Sequence, residues 1–198
     1  ILNEEGWVEW NGGDGMEGLV HPLNKDWMIG SWQFGTRNFT RNGGLNRNGC
    51  GNPDGGSQYA AWEAPLLQNP QNSMQVYHFS DIVYSGNNFG RQWQFKSSPN
   101  IGIISEAAIA ETDSNVIAVA RNNQIRLTNN GGISWIDIGN GLTGHYVRDI
   151  AFDPKDKNKI VVVFNRYQND NQKVYLSNDQ GATWENITHN LGNMPLRT

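Results

Sequence analysis

Apolar and polar residues alternate in short runs along the chain, and turn-forming residues separate the runs. In the clearest stretch, residues 104–110, 116–120, 124–128 and 135–138 are rich in β-branched and aromatic side chains. Residues 147–152, 160–164, 173–177 and 184–187 repeat that arrangement. No segment keeps a 3.6-residue apolar period, so the pattern predicts short strands and almost no helix.

A turn motif recurs between these runs with the form Ser/Thr-x-Asp/Asn-x-Gly-x-Ser/Thr-Trp. Its Asp or Asn lies at positions 42, 88, 130 and 179, which gives spacings of 46, 42 and 49 residues. The copy at 86–93 is weaker, and the copy at 40–44 lacks the Trp. A second set of polar turns keeps the same period. Four short antiparallel strands per period of about 45 residues is the size of one propeller blade.

The fold class predicted from this period is all-β, a β-propeller of four-stranded antiparallel blades. Each blade contains one copy of the recurring turn motif, here called the box turn. We expect four blades, at residues 11–56, 57–98, 99–141 and 142–190. Residues 1–10 are expected to be the outer strand of a preceding blade. We therefore expect the chain to be part of a larger propeller.

The recurring motif has a structural explanation at a tight turn between strands three and four. The Asp or Asn oxygen can accept backbone N–H bonds inside the turn, and glycine adopts positive φ freely. Three of the four motifs carry an amide, which has no acid–base capacity, so we expect scaffold positions here and no metal. We also expect Trp135 and Trp184 to be largely buried. The predicted structural positions are Asn42, Gly44, Asn88, Gly90, Trp93, Asn130, Gly132, Trp135, Ser177, Asp179, Gly181 and Trp184.

This motif resembles the Asp-box, or bacterial neuraminidase repeat, of β-propeller proteins such as sialidases, the sortilin ectodomain and xyloglucanases. Segments 11–17, 27–34, 40–44 and 190–195 resemble secreted propellers of Bacteroidetes. The resemblance covers essentially the whole chain. It implies a bacterial protein that is extracellular or on the cell surface, and it says little about activity because unrelated functions share this scaffold.

Composition narrows the function classes. Charged residues make up 17% of the chain, the net charge is −4, and no basic patch offers a footprint for nucleic acid. No apolar run approaches the ~18 residues of a membrane span. The one cysteine, Cys50, lies in a Gly/Asn-rich stretch and is interpreted as a free or externally paired loop thiol.

A polar insert at residues 45–56 takes the place of the missing Trp of the first motif. It is interpreted as a shield over a surface, as a contact for a partner, or as a Ca²⁺ site built from Asn, Asp and carbonyl oxygens. Because no regular ligand spacing is present, we expect no resident cofactor.

Candidate ligand-binding residues come from one end of the predicted blades. In a four-stranded meander, the turns between strands two and three and the blade-to-blade links share the end opposite the box turns. The strongest candidates at that end are Glu17, Trp32, Gln33, Trp62, Glu63, Arg121, Arg148, Asp149 and Tyr167; a wider set adds Asp14, His78, Asp81, Glu106, His145, Tyr146 and Arg166. Aromatic planes beside acids and amides can bind sugars, and the alternative is that these are ordinary loop residues.

The candidate residues can be compared with the catalytic residues of two classes of enzyme, sialidases and xyloglucanases. The resemblance to sialidases implies three arginines, for which Arg121, Arg148 and Arg166 are available, but the Arg-Ile-Pro start of that family is absent. The resemblance to xyloglucanases implies an Asp where this chain has Gln33, which cannot transfer a proton. A hydrolase would then need its carboxylate pair from Glu17, Glu63 or Asp149.

Two hypotheses follow. The first is a non-catalytic extracellular propeller module that binds a glycan or a surface protein within a larger secreted or cell-surface protein, with no catalytic residue and no metal. The alternative is a xyloglucanase-like or sialidase-like glycoside hydrolase domain. We favour the module and expect the rest of its own propeller or parent protein as a partner. The four histidines are expected to be structural.

Overall fold

The computed structural model describes residues 9–51, 59–143, 146–167 and 171–192. Within these ranges the chain forms four consecutive four-stranded antiparallel sheets, here called blades 1 to 4. Blade 1 contains β1 Gly18–His21, β2 Asn24–Ser31, β3 Arg37–Thr40 and β4 Asn48–Gly49; blade 2 contains β5 Leu66–Gln68, β6 Val76–Phe79, β7 Val83–Asn87 and β8 Gln92–Ser97. Blade 3 contains β9 Glu106–Ile109, β10 Ile117–Arg121, β11 Gln124–Thr128 and β12 Ile136–Asp137; blade 4 contains β13 Val147–Asp153, β14 Asp156–Phe164, β15 Val174–Ser177 and β16 Glu185–Asn186.

This architecture confirms the predicted all-β fold of four-stranded antiparallel blades. Each sheet is a simple meander whose strands pair in sequence order. The helical content of the described residues is one 3₁₀ turn, Gln33–Gly35. Each sheet lies inside one of the predicted blade ranges, and the predicted outer strand over residues 1–10 falls mainly outside the described residues.

The box turns join the third and fourth strands of the blades. In blade 3, the Oδ1 atom of Asn130 accepts hydrogen bonds from Thr128 Oγ1 at 2.8 Å and from the backbone N of Ile133 at 3.1 Å and Ser134 at 3.0 Å. Gly132 has φ +87° and donates its backbone N–H to Thr128 Oγ1 at 3.0 Å. The side-chain oxygen at the Asx position is therefore occupied by the turn itself.

The blades pack face to face through strands with a two-residue period. In β10, Ile117 and Val119 pack against blade 2, whereas Ala118 and Ala120 pack against blade 4. A strand with both faces buried in this way must carry apolar residues at consecutive positions, which explains the short unbroken apolar runs of the sequence.

Trp135 and Trp184 are mostly buried, as the sequence predicts, and each packs against one of the cores between neighbouring blades. Each lies just before a two-residue outer strand, at the junction with the preceding blade. The Trp184 indole donates its N–H to Ile138 O at 2.8 Å, and the Trp135 indole donates to Ser97 Oγ at 2.7 Å. These indoles therefore pack against the cores and also bridge neighbouring blades through their N–H groups.

Blade 1 is completed by the segment that the sequence indicated as an insert. Asn48 and Gly49 pair with β3 and form β4. Cys50 follows this strand with a free thiol, and the residue packs partly buried against the core between blades 1 and 2. Its backbone N–H donates to Arg37 O at 2.9 Å. Burial raises the pKa of Cys50 to about 11.

Candidate functional site

Four acidic side chains lie where the four innermost strands begin. Glu17 precedes β1, Glu63 precedes β5, Glu106 is the first residue of β9, and Asp149 lies near the start of β13. Their spacings are 46, 43 and 43 residues, so each blade contributes one acid at the same relative place. All four lie at the end of the blades that is opposite the box turns.

These acids line one cleft of about 530 Å³, here called the axial cleft. Trp62, Ser105 and Arg148 also line it, and its apolar walls come from Ala61, Pro65, Leu67 and Ala107. Leu67 and Ala107 also line a second groove of about 350 Å³, which follows the inner strands β5, β9 and β13 away from the acids. The two cavities are therefore adjacent along the inner strands.

Backbone hydrogen bonds fix two of the acids on their blades. Glu17 exchanges bonds with the end of β2, because Ser31 N donates to Glu17 O at 2.8 Å and Glu17 N donates to Ser31 Oγ at 3.0 Å. Glu106 pairs with Ala120 in the ladder of blade 3. The backbone positions that carry both carboxyl groups are thus fixed by the second strands of their blades.

A strand irregularity positions Arg148 and Asp149. Successive side chains of a regular strand point to opposite faces, so two neighbours would not both line one cavity. The register of β13 shifts between Val147 and Asp149, which places a bulge at Arg148. A bulge re-aims a side chain, and here both residues reach the axial cleft.

The electrostatics of the axial cleft centre on Glu106. Burial, and then the negative charges of Asp149, Glu63 and Glu17, raise the pKa of Glu106 to about 8, against the opposing effect of Arg148. The Arg148 Nη1 atom lies 3.7 Å from Glu106 Oε1, which is longer than a direct hydrogen bond. Burial and the neighbouring Glu63 also raise the pKa of Glu17. Glu106 therefore retains its proton at neutral pH.

An aromatic pair forms part of the rim. The Trp62 side chain is 56% exposed and meets the Phe34 ring edge to face, with centroids 5.2 Å apart. The Phe34 backbone N–H donates to Trp62 O at 3.2 Å. The link before blade 2 is thereby tied to the 3₁₀ turn of blade 1, and the indole is presented to the cleft at a fixed place.

The structure brings five of the nine strongest sequence candidates together in the axial cleft, namely Glu17, Trp62, Glu63, Arg148 and Asp149. Trp32 and Gln33 do not line it. The Trp32 indole donates to Asn11 O at 3.1 Å, and the guanidinium of Arg47 lies 5.1 Å from its ring. The Gln33 amide donates to Asp14. Both side chains are engaged within blade 1.

Arg121 and Tyr167 also lie outside the cleft. Arg121 donates to Ile101 O at 3.2 Å, and Tyr167 is an exposed residue beyond the end of β14. Arg166, another arginine considered for a sialidase site, donates to Thr143 O at 3.1 Å. Of the three arginines considered, Arg148 is the one that lines the cleft.

Glu106 is the residue that sequence reasoning undervalued, since it entered the wider set and not the nine strongest candidates. The signal that identifies it is the blade-period recurrence of an acid at the inner strand. The recurrence of the acids is harder to recognise than that of the box turns, because each box turn also carries a Gly and, in most copies, a Trp.

The described residues contain no group of three or more His, Cys, Asp or Glu side chains that could hold a metal ion. Residues 52–56 of the polar insert, which are part of the Ca²⁺ interpretation, lie outside the described ranges. Among the described helices, none is long and apolar enough to cross a membrane.

No protein-family model matches the chain, and no curated protein matches it. Solved structures do match. The GH74 xyloglucanase from Xanthomonas campestris aligns with a TM-score of 0.71 at 14% identity, over 94% of this chain and 32% of that chain. An ancestral GH74 enzyme aligns with a TM-score of 0.65 at 18% identity, over 91% and 25%. YCF48 from Cyanidioschyzon merolae aligns with a TM-score of 0.61 at 16% identity, over 90% and 60%.

Sheet order, face-to-face packing and these alignments together define the protein as a β-propeller. At such identities the likeness shows the fold alone. The chain spans between a quarter and three fifths of the length of these structures.

Proposed function

We propose that this chain is a non-catalytic glycan-binding module of a larger extracellular or cell-surface protein, and that the axial cleft holds the glycan. The observation that carries the proposal is the convergence of acids from four blades, one arginine and an exposed indole on a single cleft of about 530 Å³. Such a mixture of one aromatic plane and several polar groups suits a sugar, which stacks its C–H face and hydrogen-bonds its hydroxyls.

The proposal includes an assignment of the repeat and of its source. The box turns are taken as Asp-boxes of a bacterial secreted propeller of the Bacteroidetes type. Two features support this assignment: the recurring motif and its side-chain hydrogen bonds within the turn. Further blades of the parent protein are expected as partners.

Glycan binding can be tested on the purified chain with a panel of immobilised oligosaccharides followed by calorimetric titration. Trp62→Ala and Asp149→Asn are each expected to weaken binding about tenfold or more, equivalent to ~1.4 kcal/mol. Phe95→Ala removes an equally exposed aromatic from an outer strand, and Glu185→Gln removes an exposed acid from β16. Both controls should bind like the wild type. Equal binding by all five proteins would refute the assignment of the cleft.

A second candidate function, glycoside hydrolysis, is favoured by one observation. Glu106 retains a proton at neutral pH beside Asp149, and a protonated acid near a second carboxylate is the pair that glycosidases use. We nevertheless expect no turnover by this chain, because the resemblance to xyloglucanases places Gln33 where their first acid stands.

The two functions can be separated by assaying sugar release from xyloglucan, other β-glucans and sialosides. If the chain is a non-catalytic module, it should release no more sugar than the buffer control. Release that Glu106→Gln abolishes and Glu185→Gln leaves intact would establish the hydrolase instead.

A further inference from the structure

We propose that the ligand of the axial cleft is a glycan that carries free amino groups, a hexosamine polymer or its end. This inference rests on the proposed function and names the ligand class of the same site. It follows from how the charges, the indole and the two adjacent cavities are arranged.

Charge is the first argument. The cleft gathers four carboxyl groups and one arginine, and the negative charges of Asp149, Glu63 and Glu17 add to the effect of burial in raising the pKa of Glu106 to about 8. The Arg148 Nη1 atom lies 3.7 Å from Glu106 Oε1, and among the described residues Glu17, Glu63 and Asp149 form no ion pair of their own. A neutral sugar would bring no charge to offset this repulsion, whereas an ammonium group among the carboxylates lowers it.

The indole is the second argument. The exposed face of Trp62 borders the same cavity as the acids. A cation within about 6 Å of an indole centroid is attracted by the ring quadrupole, and a pyranose C–H face packs on the same surface. An amino sugar offers both features in one ring.

The spread of acceptors distinguishes a sugar from a basic peptide. A lysine side chain has one ammonium at the tip of an apolar stem, so it can serve only one part of the cleft. Here the acceptors come from four separate blades around one cavity. A ring with amino and hydroxyl donors on several sides is better matched to that distribution.

The adjacent groove is consistent with an oligomer. It lies beside the cleft along the inner strands, with Gln68 and Glu111 between apolar residues, and its volume is about 350 Å³. One sugar can occupy the acidic cleft while its neighbour extends along the groove.

The test compares three β-1,4-linked tetrasaccharides at about pH 6, where an amine is protonated: the glucosamine tetramer, its N-acetylated form and cellotetraose. We expect the glucosamine tetramer to bind the chain at least tenfold more tightly than the other two. Raising the salt concentration should reduce its affinity, since exposed charges are screened. Glu63→Gln and Asp149→Asn should each lower the preference for the amine, and Glu185→Gln should not change it.

Each alternative result has a definite meaning. Similar affinity for all three sugars would overturn the amino-sugar proposal and leave glycan binding intact. If neither these sugars nor the wider panel bind, the proposed function itself fails. Equal or tighter binding of tetralysine would overturn the glycan class and indicate a basic protein segment as the ligand.

Discussion

His78 is a buried imidazole in the second strand of blade 2, with 3% of its surface exposed. Its ring stacks with Tyr84 at a centroid distance of 6.3 Å and meets Trp93 edge-on, also at 6.3 Å. Burial, and secondarily the charge of Arg37, lowers the pKa of His78 well below its usual value of 6.5. The folded protein therefore holds this side chain neutral and excludes a proton that the unfolded chain accepts.

Replacing His78 with Phe is expected to reduce the acid sensitivity of folding. The unfolded state binds the proton below about pH 6.5 and the folded state does not, so wild-type stability falls as the pH drops below that value. Urea unfolding from pH 7.5 to 5 should show a smaller decline for His78→Phe, whatever its absolute stability. The exposed His189→Asn serves as control and should follow the wild type. Parallel pH curves for all three proteins would contradict a neutral buried His78.

Cys50 is expected to react slowly with thiol reagents. Only the thiolate is nucleophilic, and burial raises the pKa of this thiol to about 11. At pH 8, alkylation of the folded chain by iodoacetamide should be at least tenfold slower than that of the chain unfolded in urea. Equal rates would show that the thiol is open to solvent and not packed behind β4.

At the scale of the element, the stability of the box turn should depend on the acceptor oxygen of its Asx side chain and not on the charge of that side chain. Asn130 accepts three bonds in its turn, and Asp179 accepts from Ser177 and Thr183 in the equivalent one. Asn130→Ala should therefore lower the free energy of unfolding by about 1–2 kcal/mol. Asn130→Asp, the matched control, should cost much less because it keeps the oxygen. A large loss with Asp would mean that the amide nitrogen, which donates to Ser134 Oγ at 2.9 Å, dominates.

Blade 1 shows which elements the sequence pattern can predict. The Asx and Gly positions determine a turn through local hydrogen bonds, so their period located the hairpins of all four blades. The strand β4 was missed because its residues, Asn48 and Gly49, have no strand preference and gain their place from pairing with β3. Trp10 packs beside Gly44, where an added Cβ would lie 2.6 Å from the Trp10 Cβ. A contact of this kind between distant segments leaves no local trace in the sequence.

The site was predictable to the extent that topology alone places residues. The meander assigns every link and every turn between strands two and three to one end, which was enough to select Glu17, Glu63 and Asp149. It could not tell that Trp32 turns to Asn11, because that depends on side-chain packing within blade 1. Nor could it supply the bulge at Arg148, which is a departure from the regular alternation of strands.

At the scale of the whole molecule, the axial cleft exists only when the blades are assembled. Its acids come from four blades, and burial, followed by the approach of the other three acids, raises the pKa of Glu106 to about 8. An unfolded chain separates these groups and returns Glu106 to its ordinary value of 4.5. The ionisation of this one carboxyl therefore reports on how the blades are placed relative to each other.

Glu106→Gln is expected to change the stability of the whole chain in a defined pH window. Between about pH 4.5 and 8 the unfolded chain releases the Glu106 proton and the folded chain keeps it, so this group destabilises the wild type progressively as the pH rises. In urea unfolding, the stability of Glu106→Gln relative to the wild type should increase across this window and level off above it. Glu185→Gln, on the exposed outer strand, should run parallel to the wild type.

The Asp149→Asn variant tests whether a charge in blade 4 influences the pKa of Glu106 in blade 3. Removing this charge from blade 4 lowers the pKa of Glu106 in blade 3, so the pH-dependent loss of stability should become smaller although Glu106 is still present. If Asp149→Asn leaves the pH dependence unchanged while Glu106→Gln abolishes it, burial alone governs Glu106. The carboxylates would then not act together, and the electrostatic basis for an amino-bearing ligand would be lost.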